Sequence, residues 1–196
     1  MSKSSPKGLC CTASWPPTRP TRPLGHPKQG RFEPTHAGLG GYLYVADTLA
    51  GAVAEGVLRN QTISKAGVVR RPWLVNKKLV RLSLVSDVTV ASVYGSGATK
   101  LNLDSALLCG GVSQYSQTRE TGTKILLKTK PAFGIRYRCR NHDNLTSLML
   151  ITRKDPALSL TLVDEVDILF DKRGRDLILG VLHTEFQLQY TGLLPN

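Results

Sequence analysis

The sequence predicts an α+β domain, a single unit with a curved, mostly antiparallel sheet and two or three helices. Three observations predict it. Short apolar stretches with period-two alternation recur along the chain, one well-capped stretch of helical period follows Asp47-Thr48, and 196 residues suit one hydrophobic core that buries about two-thirds of the unfolded surface.

The first 30 residues hold Pro6, Pro16, Pro17, Pro20, Pro23 and Pro27 with basic and no acidic side chains. That composition favours extended, poorly packed chain, so residues 1–18 are expected as a disordered tail and 19–196 as the domain. Arg31-Phe32-Glu33-Pro34 leads into a turn rich in glycine (Gly38, Gly40, Gly41) and a strand, Tyr42-Leu43-Tyr44-Val45-Ala46. Asp47 and Thr48 are N-cap residues. Behind them Ala50, Val53, Ala54, Val57 and Leu58 recur at the spacing of a buried helical stripe, which puts Glu55 on the helix flank, off the stripe's centre.

Residues 61–78 read as loop, 79–85 as a strand with Leu82 and Leu84 alternating, and Val88-Thr89-Val90 as its extension or a second short strand. Gly95-Ser96-Gly97 marks a turn. Residues 102–130 read as mostly helical, best over 114–128, although Gly110, Gly111 and Gly122 each cost about 1 kcal/mol against alanine in a helix interior. Pro131 ends the helix. In 134–140, strict alternation puts Ile135, Tyr137 and Cys139 on one face and Arg136, Arg138 and Arg140 on the other, the pattern of a half-buried strand. A turn through 141–144 leads to a strand over 147–152, then a Leu158-Leu160-Leu162 alternation. Leu182, Thr184, Phe186, Leu188 and Tyr190 predict a final strand.

Composition excludes several classes of function. No apolar run approaches the roughly 20 residues of a membrane span, and the N-terminus lacks the apolar core of a signal peptide, so a cytoplasmic protein is expected. Cys10, Cys11, Cys109 and Cys139 form no Cys-x-x-Cys and have no histidine pair beside them, so neither a disulfide framework nor a metal site is indicated. His26, His36, His142 and His183 have no catalytic or ligand partner at recognisable spacing. A net charge of +12 suits nucleic acid, an acidic protein or an anionic small molecule, and the cations are spread without a nucleic-acid motif.

The run of arginine, glycine-rich turn, Tyr-Leu-Tyr-Val-Ala strand and capped helix with Ala54-Glu55 resembles the opening signature of the RES domain, the toxin half of Xre-RES toxin–antitoxin pairs. Gly134-Ile135-Arg136-Tyr137 resembles a second family segment, in which Cys139 stands at a serine position. RES domains place a strand with its own arginine just before the position of Gly30-Arg31. Arg22 is the candidate, although the prolines around it argue against a regular central strand.

The resemblance implies an ADP-ribosyltransferase-like fold and an NAD-consuming enzyme. Such an enzyme cleaves nicotinamide from ribose by hydrolysis or phosphorolysis, or transfers ADP-ribose. NAD is then the substrate and no other cofactor is implied. It further implies an Xre-like helix-turn-helix antitoxin as partner, with a homodimer and a toxin–antitoxin hetero-oligomer both open. Catalytic roles fall to Glu55, Arg31 and Tyr44, and substrate-binding roles to Arg31, Tyr44 and Cys139. Glu55 would stabilise the oxocarbenium-like ribose, Arg31 grip the pyrophosphate, Tyr44 lie beside the nicotinamide ring and Cys139 lie against the ribose. Each has a plainer reading: Arg31 as a surface charge, Glu55 as a solvated flank residue, Tyr44 as core, Cys139 as a small buried hydrophobe. A degenerate RES domain without activity and a basic binding module remain the alternative functions.

Overall fold

The computed structural model describes residues 2–4, 8–13, 30–104, 108, 111–152 and 158–194, with side chains from Gly30 onward. Ten strands are described: β1 (Ser2–Ser4), β2 (Gly8–Ala13), β3 (Tyr42–Ala46), β4 (Val68–Val69), β5 (Lys78–Leu84), β6 (Val88–Ser92), β7 (Ala132–Arg138), β8 (Thr146–Ile151), β9 (Leu160–Asp167) and β10 (Gln189–Tyr190). Four α-helices accompany them: α1 (Leu49–Val53), α2 (Ser96–Lys100), α3 (Tyr115–Lys128) and α4 (Lys172–Phe186). Eight strands form one sheet in the order β1-β6-β7-β8-β3-β2-β5-β9, and β10 pairs with β4 in a separate ribbon. Among the described residues, the large sheet is antiparallel except where β6 meets β7, whose connection carries α2 and α3 across. This is the α+β fold the sequence predicts.

The sheet has to be strongly curved. β5 and β6 lie five positions apart in the strand order, about 24 Å on a flat sheet. Yet only Val85, Ser86 and Asp87 connect them, and four residue steps reach about 14 Å. The sheet therefore curls so that Leu82 and Leu84 of β5 and Val88 and Val90 of β6 share one apolar cluster with Val45, Leu148 and Leu150. On the opposite face of β3 and β8, Tyr42, Met149 and Ile151 pack with Phe32, Ile135, Tyr137 and the α3 residues Ile125 and Leu126. β8 is buried on both faces, and each fully buried Leu or Ile contributes about 1.5–3 kcal/mol. A third cluster joins Val53, Val57 and Leu58 to Ile178 and Leu182 of α4 and to Leu79, Val166 and Ile168.

Local chemistry fixes the element that matters most. Thr48 caps α1, its Oγ1 accepting from the Gly51 N–H at 3.0 Å. Asp47, read from sequence as a capping residue, instead pairs with Arg136 at 2.6 Å. The expected stripe is wholly buried. Beyond Val53 the helix widens into a π turn over Ala54–Leu58, a rare geometry concentrated at functional sites.

Three expectations need correction. Within the expected tail over 1–18, Ser2–Ser4 and Gly8–Ala13 are strands, and the rest of that segment lies outside the described residues. β2 runs antiparallel to β5 from Gly8 opposite Ser83 to Ala13 opposite Lys78, meets β3 at Cys10–Ala46, and lies against α1. Backbone pairing on both sides supplies what its composition does not advertise. The final strand expected from Leu182 is a helix: Asp171 caps α4 by accepting from the Gly174 N–H, and Gly174, Ile178 and Leu182 are buried at four-residue spacing. The helix ends at Gln187, left-handed at φ 54, and of the expected alternation only Tyr190 belongs to the strand that follows. The two-residue alternation straddled that boundary. Gly95-Ser96-Gly97, expected as a turn, opens α2, and residues 102–104 at the start of the expected long helix are not helical. Arg22 and Cys109 lie outside the described residues, as do the side chains of Cys10 and Cys11.

Candidate functional site

Gly30-Arg31 enters the site in a bend held from three sides. Glu33, itself buried, accepts the Gly30 N–H on Oε1 at 2.6 Å, Tyr44 Oη accepts the Phe32 N–H at 3.0 Å, and Thr118 of α3 donates to the Arg31 carbonyl at 2.6 Å. A Cβ at Gly30 would collide with Tyr44 Oη and the Glu33 carboxylate, so this close approach requires glycine. Gly122 serves α3 in the same way, since a side chain there would press on Ile135 and Phe32. Its cost to helix propensity is offset by bringing α3 close to β7.

Arg31 is 5% exposed, which excludes the surface-charge reading. Its guanidinium carbon lies 5.7 Å from the Tyr137 ring centroid, Nη1 makes a long 3.5 Å contact to the Arg138 carbonyl, and Nε is buried with no hydrogen-bond partner among the described residues. A buried guanidinium with an unused donor is costly unless something else repays it, and a bound anion is the natural partner.

Glu55 leaves the π turn with its side chain 10% exposed, so it is no solvated flank residue. Its Oε2 accepts from Tyr137 Oη at 3.1 Å and lies 3.6 Å from Arg59 Nη1, while Oε1 accepts from the Arg140 N–H at 3.4 Å. The carboxylate is thereby aimed by a strand tyrosine, a backbone amide and an arginine. Tyr137 is the hub. Its ring meets Tyr44 edge-on at 6.1 Å and Phe32 at 5.1 Å, and burial, reinforced by the Glu55 charge, raises its hydroxyl well above the ordinary tyrosine value.

Tyr44 is half-buried against the same cluster, and burial likewise holds its hydroxyl un-ionised against the pull of Arg59. Cys139 is buried, its Sγ 3.1 Å from Ser147 Oγ. Burial pushes the thiol up to about 12, although the Ser147 contact pulls the other way. A thiol held that high is un-ionised and not a nucleophile at neutral pH. Ser147 of β8 thus places a hydroxyl beside the thiol. Tyr115 of α3 behaves differently from its neighbours. Burial would raise it, but the hydrogen bond from Arg59 and the charges of Arg59, Arg31 and Arg140 together lower it.

Arg31, Tyr44, Glu55 and Cys139 are therefore brought together, around a tyrosine that sequence reasoning placed only on the buried face of a strand. Arg59, Tyr115, Ser147 and the Arg140 amide were also missed. Arg59 had a signal, since it stands four residues after Glu55, the spacing of a helical ion pair. Tyr115 and Ser147 come from other elements and had none. Among the described residues, no group of three or more His, Cys, Asp or Glu side chains gathers as a metal site would require. Nor is any helix among them long and apolar enough to cross a membrane.

No curated protein matches the chain. A chain of the crystal structure of the M. tuberculosis MbcT-MbcA toxin-antitoxin complex is similar in fold, with a TM-score of 0.56 and 15% identity over 83% of this chain and 84% of that one. The RES domain family model matches residues 9–171, a span that begins inside β2 and takes in Arg31, Tyr44, Glu55 and Cys139. With that match over most of its length, the chain belongs to the RES domain family.

Proposed function

We propose that this protein is the NAD-consuming toxin of a toxin–antitoxin pair, acting in the cytoplasm and breaking the bond between nicotinamide and ribose. The observation that carries the proposal is the Glu55 carboxylate, nearly buried and aimed by Tyr137 and the Arg140 amide, with the underpaired Arg31 guanidinium beside the same tyrosine. The site thus offers a fixed negative charge in Glu55 and, in Arg31, a buried cation with a donor to spare, the complement of a dinucleotide that joins a cationic ring to an anionic pyrophosphate.

In the reaction the C–N bond breaks and its electron pair returns to the pyridinium ring, leaving neutral nicotinamide. No acid is needed for that leaving group. Positive charge develops on the ribose, and Glu55 stabilises it electrostatically while an oxygen of water, phosphate or a protein side chain attacks the anomeric carbon and releases any proton it carries to the solvent. Arg31 holds the pyrophosphate, Tyr44 bounds the ring, and Cys139 with Ser147 lies against the ribose. An Xre-like antitoxin would restrain the activity by covering this site, with the basic surface carried by exposed Arg138 and Arg140 meeting acidic side chains.

The direct test is nicotinamide release from NAD by the purified chain, followed by chromatography. A degenerate domain is the second reading, favoured by the thiol in the serine position. Release by the wild type, kept or increased in Cys139→Ser, supports the enzyme. No release from either protein would leave the degenerate reading in its place.

A further inference from the structure

Arg59 is a polar side chain of the site for which the proposed reaction has no use. Its guanidinium carbon lies 5.6 Å from the ring centroid of Tyr44 and 5.5 Å from that of Tyr115, and Nη1 faces Glu55 at 3.6 Å. Two aromatic rings and a carboxylate around one planar cation make up the general recognition pattern for aromatic and quaternary cations. We propose that this position is a subsite for a planar aromatic cation, that Arg59 is its internal occupant, and that the ligand must displace it.

The ties that hold Arg59 are suited to displacement. The contact with Glu55 is longer than a hydrogen bond, and the bond to Tyr115 Oη, at 3.3 Å, is beyond the usual range. The side chain rises just past the end of the π turn, and the chain beyond it is exposed from Thr62 to Ala66. While Arg59 stays, it also neutralises part of the Glu55 charge that an incoming cation would feel. The resting site is thus self-occluded: Arg59 keeps a nearly buried carboxylate paired and lowers the affinity for a competing cation.

The identity of the natural cation as the pyridinium of NAD rests on the function proposed above; the subsite itself does not. The test titrates 1-methylnicotinamide, a permanent pyridinium cation, into the full chain and its Arg59→Gln variant by calorimetry, with neutral nicotinamide as control. Arg59→Gln is expected to bind the cation about ten-fold more tightly, one cation–π contact's worth, and the neutral ring within about two-fold. Arg59→Lys keeps a charge without the planar group and guards against a variant that fails to fold; it is expected to fall between the two.

Equal or weaker cation binding in the folded variants overturns the proposal. So does a raised KM for NAD in Arg59→Gln, which would make Arg59 a ligand for the pyrophosphate. Tighter cation binding without any nicotinamide release supports the subsite and removes the NAD reading, so the two failures are distinguishable.

Discussion

Two ion pairs of the same helical spacing sit at opposite ends of the molecule's polarity. Glu55–Arg59, at 3.6 Å, has side chains 10% and 13% exposed; Lys172–Asp176 on α4, at 2.6 Å, has side chains 82% and 59% exposed. The shorter pair is the weaker one. Water screens the α4 charges and both side chains lose rotamer freedom to meet, so such a pair contributes about 0.3–0.5 kcal/mol. Around Glu55 little water competes, and each partner would leave the other charged and poorly solvated. Surroundings, more than distance, decide what an ion pair does, and the site is built where that leverage is available.

The largest expected effect comes from removing the buried charge without changing its shape. In the proposed reaction Glu55→Gln should lower nicotinamide release on the order of 10²-fold or more while NAD binding largely survives, because there the charge acts in the transition state. Arg31→Ala should weaken binding as well as turnover, since the pyrophosphate is present in both states. A Glu55→Gln enzyme with wild-type kcat would remove the carboxylate from the mechanism.

Next in size is stability. Arg59→Gln leaves Glu55 without its ionic partner in a nearly dry setting and should cost about 1–3 kcal/mol in urea unfolding, even as it opens the cation subsite. Equal costs for Arg59→Gln and Lys172→Ala would break the comparison between the two pairs.

Alkaline pH gives a smaller effect of predictable sign. Cys139 is raised when folded, so from the ordinary thiol value of about 8.5 up to about 12 the unfolded chain has lost a proton that the folded chain keeps. Stability must then fall as pH rises through that window. Cys139→Ser removes this contribution, and its melting temperature should decline less between pH 8.5 and pH 10.5 than that of the wild type, with the cited window as the basis. Parallel declines would show that Cys139 ionises freely in the folded state.

Smallest of all, Lys172→Ala should change unfolding free energy by no more than about 0.5 kcal/mol. A larger loss would mean that α4 depends on its exposed pair.

What the sequence determined by itself is local in origin. The Thr48 cap and the stripe from Ala50 to Leu58 specify α1 and its π turn's buried face within eleven residues, and the Gly134–Arg140 alternation specifies β7, because backbone periodicity and side-chain burial agree there. Arg31, Tyr44, Glu55 and Cys139 were legible for the further reason that the segments around them resemble the family to which the chain belongs.

Tertiary structure decided the rest. β2 looked unstructured because an inner strand can be held by backbone pairing to β3 and β5, which leaves no periodic mark in its own side chains. α4 was hidden by a helix end at Gln187 that merged two elements into one false alternation. The tyrosine that aims Glu55, the serine beside Cys139 and the second ring against Arg59 come from β7, β8 and α3, up to 82 positions from the residues they serve. Only packing can say which of the chain's tyrosines and serines meets a given carboxylate or thiol, because side-chain contacts across a curved sheet depend on its register and curvature and not on sequence spacing.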